Sequence, residues 1–202
     1  MQTEIEAKFL NVDFDDIRKR LKDSGAKLEQ PMRIMRRVLF DYPDERFQKN
    51  GQTQRLRVRD EGNKITLTYK AKNDTNYAHE VEVEVDSFDE AVKLLEAIGL
   101  KKYSFQESKR ETWTHKDVEV VLDEWPWVDT YIEIEGPSEE AIKSAAKDLG
   151  FDWKDAKFGS VDTAYRLQYP GMTKMESIGD LPEVRFEAPL PEYLIKRGKH
   201  GI

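Results

Sequence analysis

Glu4-Ile5-Glu6-Ala7-Lys8 stands at the head of the chain, and two later segments repeat its Glu-x-Glu core: Glu80-Val81-Glu82-Val83-Glu84 and Glu133-Ile134-Glu135. Residues two apart on a β-strand share a face, so each segment lays its carboxylates side by side. Parallel like charges repel unless something cationic sits between them. Cations follow the same alternation at Arg55, Arg57 and Arg59, then at Lys70 and Lys72. Carboxylates suit a hard divalent cation, and Arg and Lys suit phosphate oxygens. The pattern points to a metal-dependent polyphosphate site.

Outward from these segments, hydrophobic periodicity alternates between two and about 3.6. Strands are expected at 3–9, 35–41, 54–60, 65–72, 79–85, 107–114, 118–123 and 130–135. Helices are expected at about 13–24, 87–98 and 138–149. Ser87 with Glu90 has capping-box spacing, and Ser138 reads as an N-cap. Gly25, Gly99 and Gly150 stand where a helix C-terminus is expected. Gly62-Asn63 reads as the turn of a hairpin. Glutamate, helix and glycine recur: Glu84 to Gly99 and Glu135 to Gly150 are both fifteen residues, and Glu6 to Gly25 is nineteen. Strands that follow one another through short turns favour a largely antiparallel sheet. Beyond Tyr169 the pattern breaks at Pro170-Gly171, Pro182, Pro189 and Pro191, and Lys196-Arg197-Gly198-Lys199-His200 reads as a loosely held basic end.

A sheet with one wet face accounts for simple alternation in any single strand. These strands are sorted more sharply than that. Glu4, Glu6 and Lys8 oppose Ile5, Ala7 and Phe9; Arg55, Arg57 and Arg59 oppose Leu56 and Val58; Glu80, Glu82 and Glu84 oppose Val81, Val83 and Val85. Closing such a sheet into a barrel would turn the acidic and basic faces inward, with the apolar faces under the helices.

Composition narrows the alternatives. Of 202 residues 36% are charged, with a formal net charge of −7, so general nucleic-acid binding is not expected. No cysteine is present, which removes disulfides, zinc thiolates and thiol nucleophiles. The three histidines, His79, His115 and His200, have no metal-ligand spacing. No apolar run approaches the about 20 residues that span a bilayer, and no signal-like leader is seen, so a cytoplasmic location without membrane attachment is expected.

Taken in order, these segments resemble the CYTH domains, also called triphosphate tunnel metalloenzymes. Glu4-x-Glu6-x-Lys8 is similar to the family's opening signature, Leu56-Arg57-Val58-Arg59 to its arginine strand and Leu67-Thr68-Tyr69-Lys70 to its lysine strand. Glu80 and Glu82 resemble the next acidic strand; Arg110 with Trp113, Leu122-Asp123 and Glu133-Ile134-Glu135 resemble the last hairpin. The resemblance spans residues 1–169. It implies an α+β fold, an eight-stranded antiparallel β-barrel or tunnel with helices packed outside. Residues 170–202 form a C-terminal extension outside it, a lid or a partly disordered tail.

The resemblance also implies a function: a Mg2+- or Mn2+-dependent hydrolase acting on a small triphosphate substrate (inorganic triphosphate, thiamine triphosphate or a nucleoside triphosphate). Two alternatives stay open, a class IV adenylyl cyclase and a non-catalytic polyphosphate-binding module, as does pairing into a homodimer. Glu4, Glu6, Asp123, Glu133 and Glu135 become candidate metal ligands. Lys8, Arg37, Arg57, Arg59, Lys70 and Arg110 become candidate phosphate ligands, with Glu4, Glu6, Lys8 and Lys70 closest to catalysis and Glu80 and Glu82 in support. Whether Arg36 or Arg37 faces the site stays open. Two departures stand out. Ser108 occupies the place of a family lysine, for which Lys109 substitutes only if the strand slips or bulges there, and Trp125-Pro126-Trp127-Val128-Asp129 fills a turn that often holds glycine.

Overall fold

The computed structural model describes residues 5–49, 54–72 and 78–198, without the side chains of Lys72, Ala78 and His79. The strands are β1 (Ile5–Leu10), β2 (Lys27–Asp41), β3 (Gln54–Asp60), β4 (Ile65–Lys72), β5 (Ala78–Glu84), β6 (Lys101–His115), β7 (Val118–Glu124), β8 (Tyr131–Gly136) and β9 (Glu183–Val184). The α-helices are α1 (Phe14–Asp23), α2 (Arg46–Lys49), α3 (Phe88–Ala97), α4 (Glu139–Asp148), α5 (Asp162–Gln168) and α6 (Glu192–Ile195). The sheet order is β1-β8-β7-β6-β2-β3-β4-β5, with β9 beside β6. The architecture is α+β, eight strands of an antiparallel sheet with helices, as expected. Hydrogen bonding among the described residues runs from β1 to β5 without joining those two strands. No helix among them is long and apolar enough to cross a membrane.

The chain divides into two compact units, one built from residues up to Arg33, 109–173 and 189 onward, the other from 34–108 and 174–188. In the first unit, α1 and α4 cover one face of β1, β8, β7 and the end of β6. Ala7 and Phe9, Val120 and Leu122, Ile132 and Ile134 point to that face and pack with Ile17, Leu21, Ile142 and Ala145. Alternation along each strand and helical spacing along α1 and α4 thus meet in one core. Asp13 accepts from the Asp16 amide at 2.9 Å and Ser138 from the Ala141 amide at 3.1 Å, which starts each helix with a satisfied cap. Gly136, where β8 leaves the sheet, lies so close to α4 and β7 that an added Cβ would stand 2.8 Å from Val118 Cγ1. Only glycine fits that approach without moving the core.

In the second unit, α3 covers β2, β3 and β4 through Phe88, Ala91 and Leu95, packed against Val38, Phe40 and Val58. Ser87 caps α3, accepting from the Glu90 amide at 3.3 Å. The β3–β4 hairpin turns at Gly62-Asn63, as the sequence predicts, with Gly62 at φ +84° and its amide held by Asp60 Oδ1 at 2.8 Å. Residues 174–188 complete this unit. There β9 runs parallel to β6 opposite Phe105 and Gln106, and Ser104 Oγ donates to the Leu181 carbonyl at 2.6 Å.

Strands β2 and β6 are longer than the sequence predicts. Pro31 interrupts the strand signal before residue 35, and Lys101-Lys102 hides the start of β6. In the structure both segments are strand.

Candidate phosphate and metal site residues

The face of each unit away from its helices is polar, and the candidate residues lie there. In the first unit the register sets Lys8 opposite Glu133 and Glu6 opposite Glu135 across β1 and β8. Across β7 and β8, Glu119 stands opposite Glu135 and Asp123 opposite Tyr131; across β6 and β7, Arg110 stands opposite Asp123. Glu6, Glu135 and Glu119 therefore form one acidic row over three adjacent strands. Glu4 lies outside the described residues.

Lys8 is the buried centre of this face, with its side chain 1% exposed. Its Nζ donates to Glu6 Oε1 at 2.8 Å and lies 3.1 Å from Glu133 Oε1. Its main chain is held on both sides: β8 pairs one edge, and on the other Lys8 and Lys157 exchange amide bonds of 2.8 and 2.9 Å. Burial alone would lower the lysine's pKa, but Glu133 and then Glu6 outweigh it and raise it above the ordinary value. Arg110 reaches Asp123 through two nitrogens, Nε to Oδ1 at 2.7 Å and Nη2 to Oδ2 at 2.5 Å, and Glu133 Oε2 at 3.1 Å. Arg33, unforeseen because β2 starts early, donates from Nη1 to the Arg110 carbonyl at 3.2 Å and Thr112 Oγ1 at 3.3 Å.

Burial would raise the Glu133 carboxyl, yet Arg110 and Lys8 together hold it below the ordinary glutamate value of 4.5. A depressed acid contributes stability that is present above its unfolded pKa and lost as pH falls. The stability gap between the wild type and Glu133→Gln should therefore narrow as pH drops below about 4.5, measured by urea unfolding at stepped pH.

In the second unit, Val38, Phe40 and Val58 point to α3, so Arg37, Leu39, Arg57 and Arg59 share the opposite face. That separates the two arginines left open by the sequence. Arg36 pairs with Asp60 at 3.0 Å and lies over the Phe88 ring at 4.5 Å, on the helix side. Arg37 donates to Ser108 Oγ at 3.2 Å on the polar side. Lys109 points the other way, to Glu124 Oε1 at 3.0 Å, with β6 in unbroken register against β7 from Lys109 onward. No strand slip brings Lys109 into the place of Ser108.

Arg57 stands opposite Thr68, and Arg59 opposite Thr66. Among the described residues, the Nε atoms of both arginines are buried without a hydrogen-bond partner, and so is Thr66 Oγ1. Arg59 pairs with Glu61, a turn residue that the strand reading does not reach. Lys70 pairs with Glu80 at 2.9 Å, and Thr68 Oγ1 donates to Glu82 at 2.7 Å. Burial first, and then neighbouring Arg59 and Arg55, lower the Arg57 guanidinium from 12.5 to about 10 despite Glu80 and Glu82. The middle acidic strand thus tethers Lys70 and Thr68, while among the described residues the face leaves buried donors unanswered.

The turn between Asp123 and Glu133 is built by Trp125 to Asp129 and clamped by α5. Trp127 takes a left-handed φ of +64°; its carbonyl accepts from Tyr169 Oη at 2.5 Å and Gln168 Nε2 at 3.0 Å. The Pro126 carbonyl accepts from Tyr165 Oη at 2.5 Å, and Gln168 Oε1 receives the Asp129 amide at 2.8 Å. A bulky residue holds a left-handed conformation only where its surroundings enforce it.

The carboxylates are donors of the kind a hard divalent ion takes. Among the described residues, however, no three acidic or histidine side chains converge as a ready metal cage. Lys8 and Arg110 occupy Glu6, Glu133 and Asp123 in its place.

Among solved structures, a Pyrococcus horikoshii protein, PH1012, superposes with a TM-score of 0.62 at 25% identity, covering 80% of this chain and 99% of its own. A candidate adenylate cyclase from Vibrio parahaemolyticus gives a TM-score of 0.68 at 14% identity, over 81% and 97% of the two chains. The candidate adenylyl cyclase HpAC1 from Hippeastrum, described as having a dominant triphosphatase activity, gives 0.54 at 15% identity, over 86% and 99%. No curated protein matches the sequence. The family described as the CYTH domain matches residues 2–166, and the chain belongs to that family.

Proposed function

We propose that the protein is a divalent-metal-dependent hydrolase of a small triphosphate. The observation that carries this reading is the pair Arg57 and Arg59, whose Nε donors are buried and have no partner among the described residues. Crowded, desolvated cations are costly unless an anion completes them. A chain of phosphates, with several anionic oxygens in a row, answers a face that also offers Arg37, Lys70 and the Thr66 hydroxyl.

Phosphoryl transfer asks the protein for alignment and charge neutralisation more than for a covalent nucleophile. The absence of cysteine is no obstacle. Arg57 and Arg59 take up charge on the phosphoryl oxygens, and Glu80 and Glu82 keep neighbouring Lys70 and Thr68 in place. Lys8, charged, pairs with Glu6 and Glu133, and together with Arg110 it holds the Glu133 carboxyl below the ordinary glutamate value. Glu6 and Glu135 with Glu4, and Asp123 and Glu133 on their release from Arg110, would hold Mg2+ or Mn2+. Such an ion supplies Lewis-acid polarisation and further charge neutralisation.

The test offers purified protein tripolyphosphate, ATP and thiamine triphosphate with Mg2+ or Mn2+ and analyses products. Orthophosphate released from any of them supports the hydrolase. Cyclic AMP with pyrophosphate from ATP identifies a cyclase instead. Binding of tripolyphosphate without turnover of any substrate identifies a binding module.

A further inference from the structure

The carboxylates assigned to a metal already have a cation, and the chain brings it. Arg110 engages both oxygens of Asp123, at 2.7 and 2.5 Å, and one oxygen of Glu133 at 3.1 Å. Lys8 takes the other oxygen of Glu133 at 3.1 Å. A hard divalent ion would take carboxylate oxygens at about 2.0–2.6 Å, which sets its charge directly against the guanidinium that already engages both oxygens of Asp123. The two cations are not equally fixed. The Lys8 side chain is 1% exposed and its main chain is paired on both edges, whereas the Arg110 side chain is 25% exposed. Asp123, 2% exposed, could not stand without a counter-charge in such surroundings.

We propose that Arg110 is a resident counter-ion that competes with the divalent metal for Asp123 and Glu133. In metal-free protein it neutralises both carboxylates. When the ion takes them, the guanidinium is displaced and becomes available to an anion. Metal and triphosphate then bind with positive coupling, because each favours the arrangement in which Arg110 has left the carboxylates. The idea rests on the metal-dependent reading above, but it makes a distinct claim: removing a charge from the site strengthens metal binding.

The experiment measures Mn2+ affinity directly, by electron paramagnetic resonance of free Mn2+, with metal alone and no substrate. Wild type is compared with Arg110→Gln, Arg110→Lys and Arg18→Gln. The last loses an ion pair to Glu111, 3.0 Å long and on the helix side, so it controls for general loosening. Arg110→Gln should bind Mn2+ at least about tenfold more tightly, Arg110→Lys by a smaller factor because lysine cannot hold Asp123 through two nitrogens, and Arg18→Gln not at all more tightly. Mn2+ should also raise the Tm of Arg110→Gln more than that of wild type. Equal or weaker Mn2+ binding by Arg110→Gln and Arg110→Lys, with wild type binding normally, overturns the competition and leaves the metal-dependent reading standing. Failure of wild type and all variants to bind Mn2+ overturns both. Binding by Arg110→Gln alone supports the competition in its strongest form.

Discussion

Lys8→Met is expected to lower folding stability by about 3–5 kcal/mol, the range for leaving one member of a buried ion pair uncompensated. The side chain is 1% exposed and bridges Glu6 at 2.8 Å and Glu133 at 3.1 Å, so methionine fills the volume but abandons the charges. Glu133 keeps Arg110 at 3.1 Å, which is why the loss is not larger. The pH dependence has a definite sign. A lysine raised above its ordinary 10.5 contributes stability that is present below that value and lost only as pH climbs through the folded pKa. Urea unfolding at pH 7 reads the effect. A loss under about 1 kcal/mol would show that Lys8 is no keystone of this face.

Arg57→Met should do the reverse, removing turnover while firming the fold. The rate for a triphosphate should fall by about a hundred- to a thousandfold, the range for deleting one preorganised donor to a developing anion. Yet Tm should rise. Burial and the neighbouring Arg59 and Arg55 lower the Arg57 guanidinium to about 10. Between that value and 12.5 the unfolded chain holds a proton that the folded side chain has released, so stability grows with pH across this window. The charged form is thus a burden on the folded state at neutral pH, and methionine lifts it. A gain of about 1 kcal/mol appears as roughly 2–4 °C in a chain of this size. A variant with lower Tm and unchanged turnover would show that Arg57 is an ordinary structural cation. Gain of stability with loss of function is the signature of a site built for its ligand at some cost to the fold.

Most of the fold is legible in the sequence because its signals are local. Alternation sets the faces of β1, β3, β7 and β8, and Ser87, Ser138 and the turn at Gly62-Asn63 place element ends. What escapes is set by distant contacts. Pro31 conceals the first half of β2, and with it Arg33 beside the Arg110 carbonyl. Arg36 and Arg37 are adjacent in sequence and separate only once Val38 and Phe40 are known to face α3. Nothing local tells that residue 110 is locked to residue 123, since that depends on the β6–β7 register. The segment at 174–188 is likewise silent: two residues of strand and a short turn leave no periodicity, yet β9 pairs with β6.

Metal-dependent hydrolysis of a triphosphate is read out by phosphorus-31 NMR. Tripolyphosphate, ATP and thiamine triphosphate are each followed with wild-type protein and Mg2+ or Mn2+, then with EDTA in excess, and again with Glu6→Gln. Orthophosphate should be released from at least one of the three in the first condition alone, with little or no product in the other two. Tripolyphosphate, ATP and thiamine triphosphate all left intact by wild type with either metal, or equal turnover in EDTA, would contradict it.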